Sequence, residues 1–464
     1  MKTSFASTLV VVFLSCSAFA QAPQAPAPDL YALYCWADGY VKYAADVQKT
    51  GIRWLRVGGW AAGGPKEEKA LLLAAQNGVH FVPALGVPGI GHGKSMDANE
   101  AVRKMREVAR ANVQRYGPGG TFWKEHKDAD PNAAIRYWEI WNEPNIEFLT
   151  PPDDPNGMLR TQFYAMLLKA ASEEIRKLDA GACIIAFNTA GGTSDRGQAL
   201  KADGMFQKLK YIGWRKFIKD VAAIAGPASF DAIGLHPYTQ PLSPEVGGIA
   251  AGVEMVREIA KEGKFENKPI WFTEVGYAVT YPNKKNVRDE RQQAAYLTRL
   301  FALSAAHGVT QVQVMYIEDI VYGPDNTQRS FGFFTAPGKW REQATATKVM
   351  KRLIPDPRKN AQRVCERGYV YRFQPQVQPT VVMGWADGNE PVEQEVTIGK
   401  GSALAPEGPI MVTTDAAGPV TIVDMLGNCS AATVTAGKVK VTLTEAPVYL
   451  IPASREEVEK LLKD

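Results

Sequence analysis

Two glutamates stand where a pair of carboxyl groups could act as acid and nucleophile. Glu143 lies in Tyr137-Trp138-Glu139-Ile140-Trp141-Asn142-Glu143-Pro144-Asn145, and Glu274 in Pro269-Ile270-Trp271-Phe272-Thr273-Glu274-Val275-Gly276-Tyr277. Both segments open as aromatic and β-branched runs that read as strands. Pro144 has no N–H to give to a ladder, so the first strand must stop beside Glu143. Gly276 follows the second carboxylate in the same way. Two carboxyls at one mouth can divide the work of cleaving a glycosidic bond. One donates a proton to the leaving oxygen, and the other attacks carbon or activates water. The donor must stay protonated near neutral pH, which requires burial or a like charge beside it. The negative charge of Glu274 is the expected cause for Glu143.

The elements that position these residues are legible as an alternation. Strand-like runs occur at Tyr31–Trp36, Trp54–Gly58, His80–Ala84, Tyr137–Trp141, Cys183–Phe187, Phe230–His236, Pro269–Glu274 and Gln311–Ile317. Helical patterns fall between them, such as Val41–Thr50 stopped by Gly51, Lys66–Gln76 stopped by Asn77-Gly78, and Arg291–Ala306 stopped by His307-Gly308. Eight such units predict an α/β fold, a (β/α)8 TIM barrel over residues 30–352, with the carboxylates at its C-terminal mouth. After Lys351 the runs shorten and alternate: Val364–Phe373, Thr380–Trp385, Val392–Ile398, Ile410–Thr413, Val420–Asp424, Ala432–Ala436 and Val439–Leu443. With turn residues between them, they predict a C-terminal antiparallel β-sandwich over 353–464, ending in a short helix at Glu456–Lys463.

The chain has 464 residues, 45% apolar and 22% charged, and a net charge of +4 with scattered basic residues. That balance gives no clustered basic face for nucleic acid. Lys2, the apolar run Thr8–Leu14 and Ala18-Phe19-Ala20 read as a signal peptide over 1–20, followed by a flexible Gln/Ala/Pro leader over 21–29. Export to the periplasm or the extracellular space is expected. A lipid anchor on Cys16 is the weaker alternative, because Phe13-Leu14-Ser15 departs from the usual lipobox. No run is long enough for a membrane span. Cys35 and Cys183 fall on barrel strands, whereas Cys365 and Cys429 share the C-terminal region and either pair or stay free. The five histidines are dispersed, and there is no C-x-x-C, His-Glu-x-x-His, P-loop or G-x-S-x-G, so no metal or cofactor is implied.

Trp-Asn-Glu-Pro-Asn on the fourth strand, with Thr-Glu-Val-Gly on the seventh, resembles the clan A glycoside hydrolases over about residues 31 to 350. The barrel with a C-terminal β domain most resembles family 39, whose members include β-xylosidases, α-iduronidases and exopolysaccharide hydrolases. The resemblance implies a carbohydrate substrate and double displacement with retention, with Glu143 as acid/base and Glu274 as nucleophile. It also implies that Asn142 bonds the substrate 2-hydroxyl, that Arg56 supports the nucleophile, and that His236 and Tyr238 line the sugar site. Tyr316 ends the eighth strand where the clan usually places a Trp as sugar platform.

Trp60, His92 and Trp36 follow strands two, three and one and are expected to reach the cleft. Glu139 lies four residues before Glu143 and reads as a structural ion-pair partner facing away from the site. Specificity belongs to the loops, the longest being Gly86–Asn132, Glu147–Met158 and Gly191–Trp214. The last carries Arg196, Lys201, Lys208 and Lys210. A barrel that binds carbohydrate but has lost catalysis is the competing reading. The sequence leaves the sugar, exo or endo action and the oligomeric state open.

Overall fold

The computed structural model describes residues 26–152, 157–191, 210–281, 286–322, 327–358, 361–364, 369–374, 379–386, 392–397, 418–435 and 438–463. The signal and Cys16, the strand expected at Ile410–Thr413, Cys365, Arg196, Lys201 and Lys208 lie outside them. Eight parallel strands close into a barrel in chain order: β1 (Tyr31–Cys35), β2 (Trp54–Val57), β3 (His80–Leu85), β4 (Tyr137–Ile140), β5 (Cys183–Thr189), β6 (Ala232–Leu235), β7 (Ile270–Val275) and β8 (Val309–Val314). Around it run α1 (Ala37–Thr50), α2 (Pro65–Gln76), α3 (Ala98–Tyr116), the short α4 (Thr121–Glu125), α5 (Arg160–Leu178), α6 (Trp214–Ala225), α7 (Ile249–Glu262), α8 (Glu290–Ala306) and α9 (Glu342–Leu353). Much of the segment expected as a long loop after β3 is therefore helix. Asp97 starts α3 by accepting the Glu100 N–H at 3.0 Å, which leaves only residues 86–97 as the βα loop.

The barrel interior is layered, because alternate residues of each strand face inward. At the bottom Ala32, Trp54, Val82, Ile185, Ala232 and Trp271 form an apolar plug, with Tyr137 and Cys183 packed on it. Burying one ring of this size stabilises the fold by about 2–3 kcal/mol. Two residues further along, the inward position turns polar on four of these strands: Tyr34, Arg56, Glu139 and Thr273. This layer is the floor beneath the mouth.

Two irregularities break the alternation near the mouth. Between Phe272 and Val275, β7 spends three steps while β8 spends two, from Val312 to Val314. Strict alternation from Trp271 would turn Glu274 outward; the extra residue re-aims it into the barrel. In β5 the three steps from Ala186 to Thr189 face two in β6, and Phe187 and Asn188 take φ of 76° and 43°.

After β8 the chain makes two hairpins that the sequence reading did not contain. They are β9 (Ile320–Tyr322) with β10 (Thr327–Arg329), and β11 (Phe334–Ala336) with β12 (Lys339–Trp340). The C-terminal region supplies β13 (Gln362–Arg363), β14 (Tyr369–Phe373), β15 (Val381–Trp385), β16 (Val392–Thr397), β17 (Thr421–Asp424), β18 (Cys429–Ala431), β19 (Val434–Thr435), β20 (Lys438–Leu443), β21 (Val448–Ile451) and α10 (Arg455–Lys463). They form a six-stranded antiparallel sheet, β13-β14-β15-β21-β17-β18, and a three-stranded one, β16-β20-β19. Val370, Val382, Leu450, Val439, Val441 and Leu443 fill the space between the two sheets. The opposite face of the larger sheet, with Tyr371, Phe373, Met383, Trp385, Tyr449 and Ile451, merges with the barrel core. Trp385 stacks on Tyr369 and Tyr371 and donates Nε1–H at 2.8 Å to Glu245, on the loop after β6. Cys429 is a free thiol among the described residues, and the pairing considered for it with Cys365 lies outside them.

Candidate active site

Glu143 and Glu274 face each other across the mouth. One carboxylate oxygen of each and a ring nitrogen of His236 lie within 4.8 Å of one another. Their side chains are 14% and 12% exposed, so each touches solvent only at the cleft.

Glu274 is held by charge. Arg56, fully buried on β2, donates Nη1–H to Glu274 Oε2 at 2.7 Å, Nη2–H to Asn142 Oδ1 at 2.7 Å and Nε–H to Glu139 Oε2 at 2.8 Å. Its guanidinium lies 4.3 Å from the centre of the Tyr34 ring. Burial works against the arginine charge, but Glu139, Tyr34 and Glu274 hold its pKa above the ordinary value. Tyr238 donates its hydroxyl to Glu274 Oε1 at 2.8 Å, with the Met315 sulfur 2.7 Å away. Burial, reinforced by Glu274, raises the Tyr238 phenol well above its usual range, so it remains a donor. Both oxygens of Glu274 thus meet a donor.

Glu143 is held differently. The strand β4 ends at Ile140, and Trp141 and Glu143 both adopt left-handed φ, 68° and 48°. The Trp141 N–H still bonds to Leu85 O at 2.8 Å, and the Glu143 N–H bonds to Asn188 O at 3.0 Å. Asn188 is fixed in turn by bonds from its amide to Ile140 O and Trp141 O and by a hydroxyl bond from Thr273. It fits only because Gly234 opposes it; a Cβ there would stand 1.9 Å from Asn188 Oδ1. Burial pushes the Glu143 carboxyl up to about 7, with Arg56 pulling the other way. The expected cause, repulsion from Glu274, is not the driver, since that charge is already shared with Arg56 and Tyr238.

His236 Nδ1 is 3.0 Å from Glu143 Oε1. Burial drives the imidazole down to about 3, so it is neutral at working pH. Its Nε2 is buried without a protein partner. A proton on Nδ1 then satisfies Glu143 Oε1 and leaves the other Glu143 oxygen for chemistry. The trio Glu143, His236 and Glu274 is close enough to share a cation, but the histidine nitrogen and both Glu274 oxygens are engaged by protein, and Arg56 already brings positive charge. The arrangement sets a carboxyl raised by burial opposite one bonded to a buried guanidinium.

The expected residues Arg56, Asn142, Glu143, His236, Tyr238 and Glu274 come together. The Asn142 amide nitrogen has no protein partner among the described residues and is free for a ligand. Tyr316 reaches the site but is only 3% exposed, its ring edge-on to Tyr34 at 5.0 Å. Trp36 is 52% exposed on the rim and passes over Gly59. His92 is exposed and packs on Phe148 of the loop after β4. Trp60 does not enter the cleft. Gly59 turns the chain with φ 63°, and the Trp60 ring is buried edge-on against Phe81 and Tyr116. Glu139 does not face away either. It follows the inward-facing Tyr137 by two residues and so lies inside the barrel under the site. Tyr34 belongs to the floor but was missed in the sequence; its parity with Ala32 on β1 was the available signal. Lys210 pairs with Glu147 at 3.0 Å, joining the loops after β5 and β4.

No protein-family model and no curated protein matches the sequence. Solved structures do share the architecture. A family 39 glycoside hydrolase from the gut symbiont Bacteroides cellulosilyticus WH2 superposes with a TM-score of 0.64 at 20% identity, covering 90% of this chain and 78% of that one. A glucosidase from Croceicoccus marinus gives 0.58 at 12% identity, covering 93% and 98%. A monomeric β-xylosidase from Caulobacter crescentus CB15 gives 0.53 at 14%, again covering 93% and 98%. At these identities the likeness establishes a common fold, and function must be argued from the site. Among the described residues no helix is long and apolar enough to cross a membrane.

Proposed function

We propose that the protein is a retaining glycoside hydrolase of the family 39 type, acting on a poly- or oligosaccharide by double displacement. The observation that carries this reading is the pairing of Glu143 and Glu274 within 4.8 Å in opposite environments, one apolar and one ionic. A separation of about 5–5.5 Å goes with retention, whereas about 6.5–9.5 Å leaves room for the water of an inverting enzyme. In the first step Glu274 attacks the anomeric carbon while Glu143 gives its proton to the departing glycosidic oxygen. In the second, Glu143, now a carboxylate, takes a proton from water, and that water displaces Glu274. Arg56 and Tyr238 hold the nucleophile in line, and the free amide of Asn142 is placed to bond a sugar hydroxyl beside the reacting carbon. The pattern at Lys2, Thr8–Leu14 and Ala18-Phe19-Ala20 supports export as part of the same reading.

The test is an assay of the full chain on plant, bacterial and host polysaccharides and on aryl glycosides, with Glu274→Ala as control. Release of one sugar type that vanishes in the variant is expected. Binding without turnover across the panel would instead favour a barrel that has lost catalysis.

A further inference from the structure

One buried carboxylate is left over by this mechanism. Glu139 is wholly inaccessible and too deep to touch a substrate, yet it bonds the same guanidinium that holds Glu274. Both of its oxygens face donors. Oε2 receives Arg56 Nε–H, and in the amide orientation that the network requires, Gln313 on β8 donates to Oε1 at 3.0 Å and to Thr273 O at 2.9 Å. Burial raises the Glu139 carboxyl to about 7 while Arg56 pulls it back, and a donor facing each oxygen favours the charged form against that push. One cation therefore serves two carboxylates on opposite strands. Bound to Glu274 alone, Arg56 would hold its negative charge so firmly that attack on carbon would be slow. A second anion on the far edge of the guanidinium reduces that pull, because the two like charges repel through it.

We propose that Glu139 is a positioning residue of the reaction: it locks the Arg56 fork by its Nε edge and takes up part of its charge, leaving Glu274 oriented but still nucleophilic. This rests on the hydrolase reading above. The charged and titratable groups around the pair are Arg56 from β2, Tyr34 from β1, Tyr164 from α5, Tyr238 and His236 from the end of β6, and Glu143 from β4. Of these, Arg56 alone is cationic, since burial keeps His236 neutral.

Glu139→Gln tests the proposal. It preserves shape, and the Gln313 amide can turn over to accept. The readout is the titration of Glu274 in protein labelled with carboxyl-13C glutamate, the resonance being assigned by its loss in Glu274→Gln. Removing the Glu139 charge leaves Arg56 to Glu274 alone and moves that titration to lower pH. On an aryl glycoside, the acidic limb of kcat/KM moves down equally and kcat falls about tenfold, with KM changed little. A Glu274 that titrates as in the wild type, in a variant that melts normally, would overturn the proposal. Should Glu139→Gln not fold, Gln313→Leu probes the same link: it removes the donor on Oε1, adds to the burial that already raises the Glu139 carboxyl, and loosens its claim on Arg56 in the same sense. An unmoved Glu274 titration again overturns the idea. The titration needs no turnover, so an inactive protein would sink the hydrolase reading while the link between Glu139 and Glu274 remained measurable.

Discussion

The two sides of the barrel mouth hold the same kind of residue by different means. Around Glu274 the strand is extended, re-aimed by one bulge, and the side chain is fixed by Arg56 and Tyr238. Around Glu143 the strand has ended, Trp141, Glu143, Phe187 and Asn188 all sit in left-handed backbone, and a neutral histidine is the side-chain partner. Identical carboxyls are thereby given different surroundings, which suits the proposed roles of nucleophile and acid. Residues held in sparsely populated backbone gather where surrounding structure must over-determine them, and here they surround the proposed proton donor.

The sharpest way to break the comparison is to delete each carboxyl in turn. Glu274→Ala is expected to lower kcat by at least about 10⁴-fold, since it removes the proposed nucleophile. Glu143→Ala should cost about 10²–10⁴-fold on substrates with poor leaving groups. Azide should restore turnover of an activated aryl glycoside in both variants by different routes. In Glu143→Ala it displaces Glu274 from the intermediate and gives a glycosyl azide of retained configuration, whereas in Glu274→Ala it attacks the substrate directly and gives the inverted azide. An inverted azide from Glu143→Ala, or a retained one from Glu274→Ala, would erase the assignment of roles.

The pH profile sharpens the contrast. The acid is active when protonated and burial lifts its pKa to about 7, so kcat/KM should fall as pH rises through that region. A basic limb that persists unchanged in Glu143→Gln would assign it to another group. Gly234→Ala should disturb the strained side selectively. Its Cβ would meet Asn188 Oδ1, costing about 1–3 kcal/mol of stability and some activity, measured by denaturant melts and initial rates. Trp60→Leu should do the smallest harm to catalysis. It is expected to lower stability by about 2–4 kcal/mol while kcat/KM stays near that of the wild type, because the ring is core.

The eight barrel strands were legible because their runs are apolar, β-branched and spaced by helical patterns, and each boundary falls within a few residues of expectation. Glu143 and Glu274 could be read as strand-end positions that converge in any closed barrel, whereas Arg56, His236 and Tyr238 were legible only through the resemblance to the clan A hydrolases. What alternation alone cannot show is where it is broken. The bulges at Phe187-Asn188 and before Val275 depend on pairing with neighbours, not on local composition. Glu139 was misoriented because its direction depends on which residues plug the barrel bottom. Trp60 was misplaced because a glycine turn, not the strand, decides where it goes. The strand Val448–Ile451 was passed over between Pro447 and Pro452, yet it pairs with two neighbours in the six-stranded sheet. In the sequence, prolines at the ends of a strand look like loop.

The central claim is that Glu274 attacks carbon while Glu143 handles the proton. The measurement that meets it most directly is ¹H NMR of the first product released from the glycoside that the panel identifies, read before mutarotation. The account predicts that the product keeps the anomeric configuration of the substrate and that a 2-fluoro glycoside labels Glu274. Release of the opposite anomer, with Glu274 unlabelled, would contradict it.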